Sequence, residues 1–168
     1  MIEVTPEGLS TPVITDGTTP ANGGTDAAPT VALPLIGAAE LITGLRRNGR
    51  AVLADLEFET GAVTLGAKPY DSLAALAEFL IQNPDFDVLL VGHTDTVGSL
   101  EQNIAISERR ADAVRRRLLA DSAVNRARVA VAGAGFMAPL TTNLTPEGRE
   151  ANRRVEVVLI RRGWGAVP

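Results

Sequence analysis

Apolar residues are spaced with two different periods in the first half of the folded region. Intervals of three and four residues predict a short helix over residues 36–47, which Asn48-Gly49 ends. The apolar residues of the stretch 50–58 predict a strand. Helical spacing returns after Asp71 and Ser72, either of which can cap the next helix. This second helix carries an apolar stripe of four residues: Leu73, Leu76, Ala77 and Leu80.

The second half of the pattern again alternates strand and helix. The continuous apolar run FDVLLVG, residues 86–92, predicts a strand that is covered on both faces. A long helix is predicted from Ser99, where Gln102 completes a capping-box pattern, to about Ala120. Two further strands follow, separated by a loop with one helical turn: residues 127–133 and 152–160.

The order of elements predicts the fold class and the extent of the domain. From residue 50 the order is βαβαββ, which indicates an α/β (α+β) two-layer sandwich with helices packed on one face of a mixed sheet. Residues 1–30 are rich in Thr, Pro, Gly and Ala and contain no Lys or Arg, so we expect a flexible linker or tail. The folded domain is expected over residues 31–162, with its core at 50–160, and residues 163–168 form a short tail.

Composition excludes several classes of function. The formal net charge of -4 and the absence of a basic surface argue against nucleic-acid binding. The chain has no cysteine and one histidine, His93, so we expect no metal or cofactor, and we expect His93 to make a structural hydrogen bond. The sequence contains no apolar stretch of about 20 residues, which is the length that a membrane-spanning helix requires. The N-terminus lacks the features of a signal peptide, which leaves a cytoplasmic location or a start downstream of an export signal.

Arg110 lies on the apolar face of the third predicted helix. At about 100° per residue, that face carries six residues: Asn103, Ser107, Arg110, Ala111, Val114 and Leu118. Arg109 falls on the opposite, solvated face. A guanidinium on the apolar face must find acceptors, because leaving it unpaired there carries a large desolvation cost.

Asp95 lies in the loop that connects the strand 86–92 to this helix. Ligands of open α/β sheets gather at the carboxyl ends of strands, and Gly92 and Gly98 allow the loop to turn tightly. The side chain of Arg110 is long enough to reach back toward the loop. Asp95 and Arg110 are therefore predicted to converge on one ligand pocket. The alternative is that they bond to each other and only fasten the loop to the helix.

The stretch GHTDTVGSLEQNIAISERRADAV resembles the central motif of the OmpA-like C-terminal domain family, except that Ile106 stands where leucine is usual. The matching positions are Gly92, His93, Thr94, Asp95, Gly98, Asn103, Ser107, Arg110, Ala111 and Val114. VAVAGAGFMAP and NLTPEGREANRRVEV are similar to the later motifs of that family. LEFETGAVTL resembles its opening strand and loop, with Ala62 in place of the usual serine. The resemblance covers roughly residues 50–160.

This resemblance implies a periplasmic module that binds peptidoglycan non-covalently and anchors the outer membrane or an envelope protein to the cell wall. The ligand that it implies is the diaminopimelate of the stem peptide, with Asp95 binding the ammonium and Arg110 the carboxylate. The other ligand-binding residues that we expect are Thr94, Asn103, the backbone at Gly98, Phe58 and Thr60 on the opposite wall, and Arg153. The sequence leaves open whether Arg153 or Arg154 faces the pocket, and we expect Arg149 and Asn152 to order the preceding loop. Attachment to the outer membrane is expected through a segment absent from this chain.

Two other functions are weighed against this one. A peptidoglycan amidase or phosphatase that uses Asp95 would need a second carboxylate at a matched spacing, a metal cluster, or a nucleophile with its base, and the sequence shows none of these. An OmpA-like fold that serves as a protein-interaction module, with other envelope proteins as partners, is disfavoured by the intact pair of Asp95 and Arg110.

Overall fold

The computed structural model describes residues 36–56, 58 and 62–162, and these form four helices, four strands and a short 3₁₀ turn. The helices are α1 (Ile36–Asn48), α2 (Asp71–Gln82), α3 (Leu100–Ala120) and α4 (Pro146–Asn152). The strands are β1 (Arg50–Val52), β2 (Phe86–Gly92), β3 (Val129–Gly133) and β4 (Val155–Arg161). The predicted linker, residues 1–30, and the predicted tail, residues 163–168, lie outside the described residues.

The strands form one mixed sheet in the order β1-β4-β2-β3, which confirms the predicted fold class. β2 and β3 are parallel, and β4 is antiparallel to both β1 and β2. Burial alternates along β2: Val88 and Leu90 are buried, whereas Leu89 and Val91 are only half-buried. The prediction that this strand is covered on both faces is therefore wrong, because the helices cover only the face that carries Val88 and Leu90.

The core lies between the sheet and three helices. Each helix contributes leucines or small apolar residues to it, and the fully buried ones include Leu41 and Leu45 of α1, Leu76 and Leu80 of α2, and Val114 of α3. Burial of such side chains stabilises the domain by about 1.5–3 kcal/mol each relative to exposure. None of the helices in the described ranges combines the length and hydrophobicity that crossing a membrane requires.

Helix α3 approaches the ends of β2 and β3 so closely that only glycine fits there. A Cβ atom at Gly92 would overlap the carbonyl oxygen of Ser107, and one at Gly133 would overlap that of Ile104. Ser107 also accepts a hydrogen bond at Oγ from Gly135 N at 3.0 Å. The amino-terminal half of α3 is therefore held against the carboxyl ends of both parallel strands, where the ligand pocket is predicted.

Strand β1 is shorter than the predicted strand over residues 50–58. Pairing continues only to Leu53, whose N–H donates to Val155 O at 3.0 Å, and the chain then turns at Ala54-Asp55. The carboxylate of Asp55 accepts hydrogen bonds from the backbone N–H, at 3.0 Å, and the hydroxyl of Ser72. Asp55 therefore supplies the cap of α2, and neither Asp71 nor Ser72 does so with its own side chain, since the residue at the cap position is Tyr70.

The other predicted boundaries hold to within three residues. Ser99 caps α3 and accepts from Gln102 N at 3.3 Å, as the capping-box pattern predicts. β3 begins two residues later than predicted because Arg126–Arg128 form a 3₁₀ turn. The guanidinium of Arg128 donates to Leu80 O at 2.8 Å and so satisfies a carbonyl near the end of α2.

Candidate functional site

The candidate site lies where the loop after β2 meets the first half of α3. We call it the Asp95 site and define it by five residues: Phe58, Asp95, Asn103, Arg110 and Arg153. The loop after β2 supplies Asp95, α3 supplies Asn103 and Arg110, and Arg153 follows the last residue of α4. Thr60, which the sequence places on the wall beside Phe58, lies outside the described residues.

Arg110 is buried, with 4% of its surface exposed, whereas Arg109 is exposed, so the predicted faces of α3 are confirmed. Nε of Arg110 donates to Ala62 O at 3.0 Å, and its guanidinium carbon lies 5.3 Å from the centre of the Phe58 ring. Burial and the nearby Arg153 lower the pKa of Arg110, and Asp95 opposes this shift. An arginine keeps its charge at neutral pH, so a positive charge sits on the wall formed by Phe58.

Asp95 is a buried, ionised hydrogen-bond acceptor. Its Oδ1 accepts from Val97 N at 3.0 Å, and its Oδ2 accepts from Nη1 of Arg153 at 2.6 Å. Burial alone would raise the pKa of Asp95, but these two hydrogen bonds, together with the charges of Arg153 and Arg149, hold it below its ordinary value. The alternative of a direct fastening of Asp95 to Arg110 is wrong, because Arg153 is the ion-pair partner of Asp95.

Asn103 and Gly98 give the loop after β2 its shape. The side-chain amide nitrogen of Asn103 donates to Val97 O at 2.8 Å and to Ser99 O at 3.0 Å. Gly98 adopts a φ of 93°, a backbone conformation that side-chain-bearing residues rarely take. Both residues position the loop in this structure, and their direct contact with a ligand stays a prediction.

Thr94 is anchored through its backbone and has an unused hydroxyl. Its N–H donates to Gly135 O at 2.9 Å. The hydroxyl oxygen is buried and has no hydrogen-bond partner among the described residues. An unsatisfied buried hydroxyl is costly and calls for an explanation. Contact between Thr94 and a ligand also stays a prediction.

The two consecutive arginines after α4 have different partners. Arg153 reaches Asp95 and also pairs with Glu150, as expected for the residue that approaches the pocket. Arg154 instead donates from Nε to Glu156 Oε1 at 2.8 Å. Asn152 is fully buried and accepts at Oδ1 from Leu140 N at 2.7 Å. The loop before α4 is thereby held in place, which confirms the ordering role expected of Asn152.

His93 makes the structural hydrogen bond that the sequence predicts through its backbone and not through its ring. Its backbone N–H donates to Arg154 O at 2.9 Å, but both ring nitrogens are buried without a hydrogen-bond partner in the described ranges. Nε2 lies 3.8 Å from Oε1 of Glu156. Burial and then Arg154 lower the pKa of His93, more than Glu156 raises it. His93 is therefore neutral at neutral pH.

A groove beside the Asp95 site was not predicted from the sequence. It lies between the end of β1 and α4, encloses about 720 Å³, and we call it the β1–α4 groove. Its walls combine apolar and charged side chains, including Leu56, Phe58, Leu140, Glu147, Glu150 and Arg153. Phe58 and Arg153 line this groove and also belong to the Asp95 site. Both residues are expected at the site from the sequence, so they are the sequence signal that points to the groove.

The arrangement suits a small ligand that carries charges of both signs. Asp95 offers a carboxylate to a cation, and Arg110 and Arg153 offer guanidinium groups to anions. Across the described residues there is no group of three or more histidine, aspartate and glutamate side chains that could hold a metal ion.

The chain is similar to several envelope proteins. A family model described as the OmpA family matches residues 57–153. The chain is 39% identical over 105 residues to outer membrane porin F of Pseudomonas aeruginosa, covering 62% of this chain and 30% of the porin. It is 36% identical over 104 residues to the peptidoglycan-binding protein ArfA of Mycobacterium tuberculosis, covering 62% and 32%. The chain thus spans about a third of the length of these two relatives.

A solved structure agrees with the fold. The crystal structure of the peptidoglycan-associated lipoprotein from Burkholderia pseudomallei superposes with a TM-score of 0.57 and 27% sequence identity. The superposition covers 62% of this chain and 88% of the lipoprotein chain. Since the family model matches more than half of the 168 residues, the chain belongs to the OmpA family.

Proposed function

We propose that this chain binds peptidoglycan non-covalently through the diaminopimelate of the stem peptide. The observation that carries the proposal is the pair of buried, oppositely charged groups in the Asp95 site. Asp95 is ionised. Arg110 is buried, and its Nε–H donates a hydrogen bond to the carbonyl oxygen of Ala62. A buried charge is costly unless a partner of opposite charge meets it. Asp95 already meets Arg153, and a bound ligand can supply the opposite charge for Arg110, whose Nε bonds to a neutral carbonyl.

Diaminopimelate has the charges that these two residues require. The far end of its side chain carries an ammonium and a carboxylate on one carbon atom, so it is a zwitterion. The ammonium binds to Oδ2 of Asp95, where it competes with the hydrogen bond from Nη1 of Arg153. The carboxylate binds to the planar guanidinium of Arg110.

The names of the relatives support the broader part of the proposal, which is peptidoglycan binding. One is named as a peptidoglycan-binding protein, and the superposed crystal structure is of a peptidoglycan-associated lipoprotein. One name describes binding and the other an association with peptidoglycan, and we assign this chain a binding function without catalysis. It acts in the periplasm, where residues 1–30 serve as a linker to a segment that attaches it to the outer membrane.

The test is co-sedimentation of purified protein with sacculi of the diaminopimelate type. Asp95→Ala and Arg110→Ala should abolish sedimentation while circular dichroism shows an unchanged fold. The matched control is Arg109→Ala, which removes the same charge from the exposed face of the same helix and should sediment like the wild type. Equal loss for Arg109→Ala and Arg110→Ala, or no sedimentation of the wild type, would overturn the proposal.

A further inference from the structure

We infer that Arg153 is a third anchor in the Asp95 site and binds a second carboxylate of the stem peptide, the free α-carboxylate of its γ-linked glutamate. This inference rests on the proposed function, because it assumes that Asp95 and Arg110 hold the neighbouring diaminopimelate. The part of the ligand that these three residues bind would carry a net charge of -1. The zwitterionic end of diaminopimelate contributes zero, and the glutamate carboxylate contributes the negative charge.

A zwitterion alone does not balance the charges of the Asp95 site. Asp95 carries one negative charge, and Arg110 and Arg153 each carry a positive charge. A zwitterion gives an ammonium to Asp95 and a carboxylate to Arg110, so the charge of Arg153 is left without a matched partner in the ligand. Its other partner, Glu150, has a side chain that is 71% exposed, and such a pair is screened by water and salt.

Arg153 is positioned between the Asp95 site and the β1–α4 groove. It lies where the Asp95 site opens into the β1–α4 groove, since one of its nitrogens contacts Asp95 and its side chain lines the groove. Phe58 marks the same junction, because its ring faces Arg110 and also lines the groove. A peptide whose diaminopimelate side chain is held by Asp95 and Arg110 therefore has this groove as an adjoining channel for the preceding residue, the glutamate.

The guanidinium of Arg153 is accessible to a ligand. The side chain of Arg153 is 25% exposed, so a ligand can reach it. An ammonium that approaches Oδ2 of Asp95 competes with Nη1 of Arg153 for that oxygen. The displaced Nη1 can then form a bidentate pair with a carboxylate. Arg149 is not an equivalent anchor, because its guanidinium donates to Asn143 O at 3.1 Å and holds the loop before α4.

Calorimetry with two synthetic tripeptides tests this inference. Both peptides contain alanine, γ-linked glutamate and diaminopimelate, and they differ only in whether the glutamate α-carboxylate is free or amidated. The wild type should bind the amidated peptide about tenfold more weakly, which is the loss of one charge-assisted hydrogen-bonded pair. Arg153→Gln should bind the two peptides equally. Arg109→Gln, which removes one positive charge from the exposed face of α3, should keep the tenfold difference.

Three results would overturn the inference. The wild type could bind both peptides equally, or Arg153→Gln could keep the tenfold preference. Arg153→Gln could also bind both peptides more tightly, and by the same factor. This result would make Arg153 only a counter-ion of Asp95 that the ligand displaces. These results differ from failure of the proposed function, in which neither peptide binds the wild type or Asp95→Asn leaves both affinities unchanged.

Discussion

Arg153 and Asp95, which are 58 residues apart in the chain, form an ion pair with 2.6 Å between Nη1 and Oδ2. The pair joins the loop after β2 to the end of α4. It keeps the carboxylate charged and oriented before any ligand arrives, because the second oxygen of the same carboxylate is held by Val97 N. Preorganisation of this kind reduces the entropic cost of binding.

We expect Arg153→Gln to raise the pKa of Asp95 relative to the wild type. The depressed pKa in the folded state means that Asp95 contributes stability above its ordinary pKa of 3.8 and that this contribution is lost as the pH falls through the folded pKa. The variant should therefore lose less stability on acidification. Carboxyl-carbon NMR titration of Asp95 checks the pKa, and an unchanged value in Arg153→Gln would contradict the role given to this pair.

Gly133→Ala should destabilise the domain by about 3 kcal/mol. The added methyl group would overlap the backbone carbonyl of Ile104 and approach Oγ of Ser107 at 2.7 Å, so α3 would have to move away from β3. Urea unfolding measures the change. The control is Gly37→Ala in α1, where a Cβ atom meets nothing within 4 Å and stability should be unchanged or raised by up to about 1 kcal/mol. Equal stability of the two variants would refute the close packing.

His93 should make stability fall as the pH drops below about 6.5. Its pKa in the folded state is lower than its ordinary value of 6.5, so in this range the unfolded chain binds a proton that the folded domain does not. His93 faces Arg154, Glu156 and Arg50, and protonation would place its charge near both arginines. Urea unfolding at about pH 7.5 and pH 5.5 should show a smaller difference for His93→Gln than for the wild type. An equal difference would show that other groups carry the pH dependence.

The elements could be predicted because their signals are local. Helical spacing, the cap at Ser99 and the phase that buries Arg110 depend only on neighbours within one or two turns. The end of β1 could not be predicted in this way. Leu53, Leu56 and Phe58 continue an apolar pattern typical of a strand, but Asp55 turns the chain away because it caps α2 through Ser72, 17 residues later.

In the Asp95 site, too, local features can be predicted from the sequence and long-range contacts cannot. Its loop and the burial of Arg110 follow from local pattern, so the sequence can predict Asp95 and Arg110 as candidate site residues. The partner of Asp95 cannot be predicted in this way, because the choice between Arg153 and Arg154 depends on where α4 ends and on the direction in which the chain leaves it. Asn152 ends α4 and is fully buried, and this fixes Arg153 toward the site and Arg154 toward Glu156.

The most direct test of the account is calorimetry with two stem peptides that differ only at the third residue, diaminopimelate in one and lysine in the other. Lysine keeps the ammonium for Asp95 but lacks the carboxylate for Arg110, and it leaves that buried guanidinium without its ligand partner at a cost of about 1–3 kcal/mol. We expect the lysine peptide to bind roughly 5- to 150-fold more weakly. Equal affinity for the two peptides would contradict recognition of a zwitterion by Asp95 and Arg110.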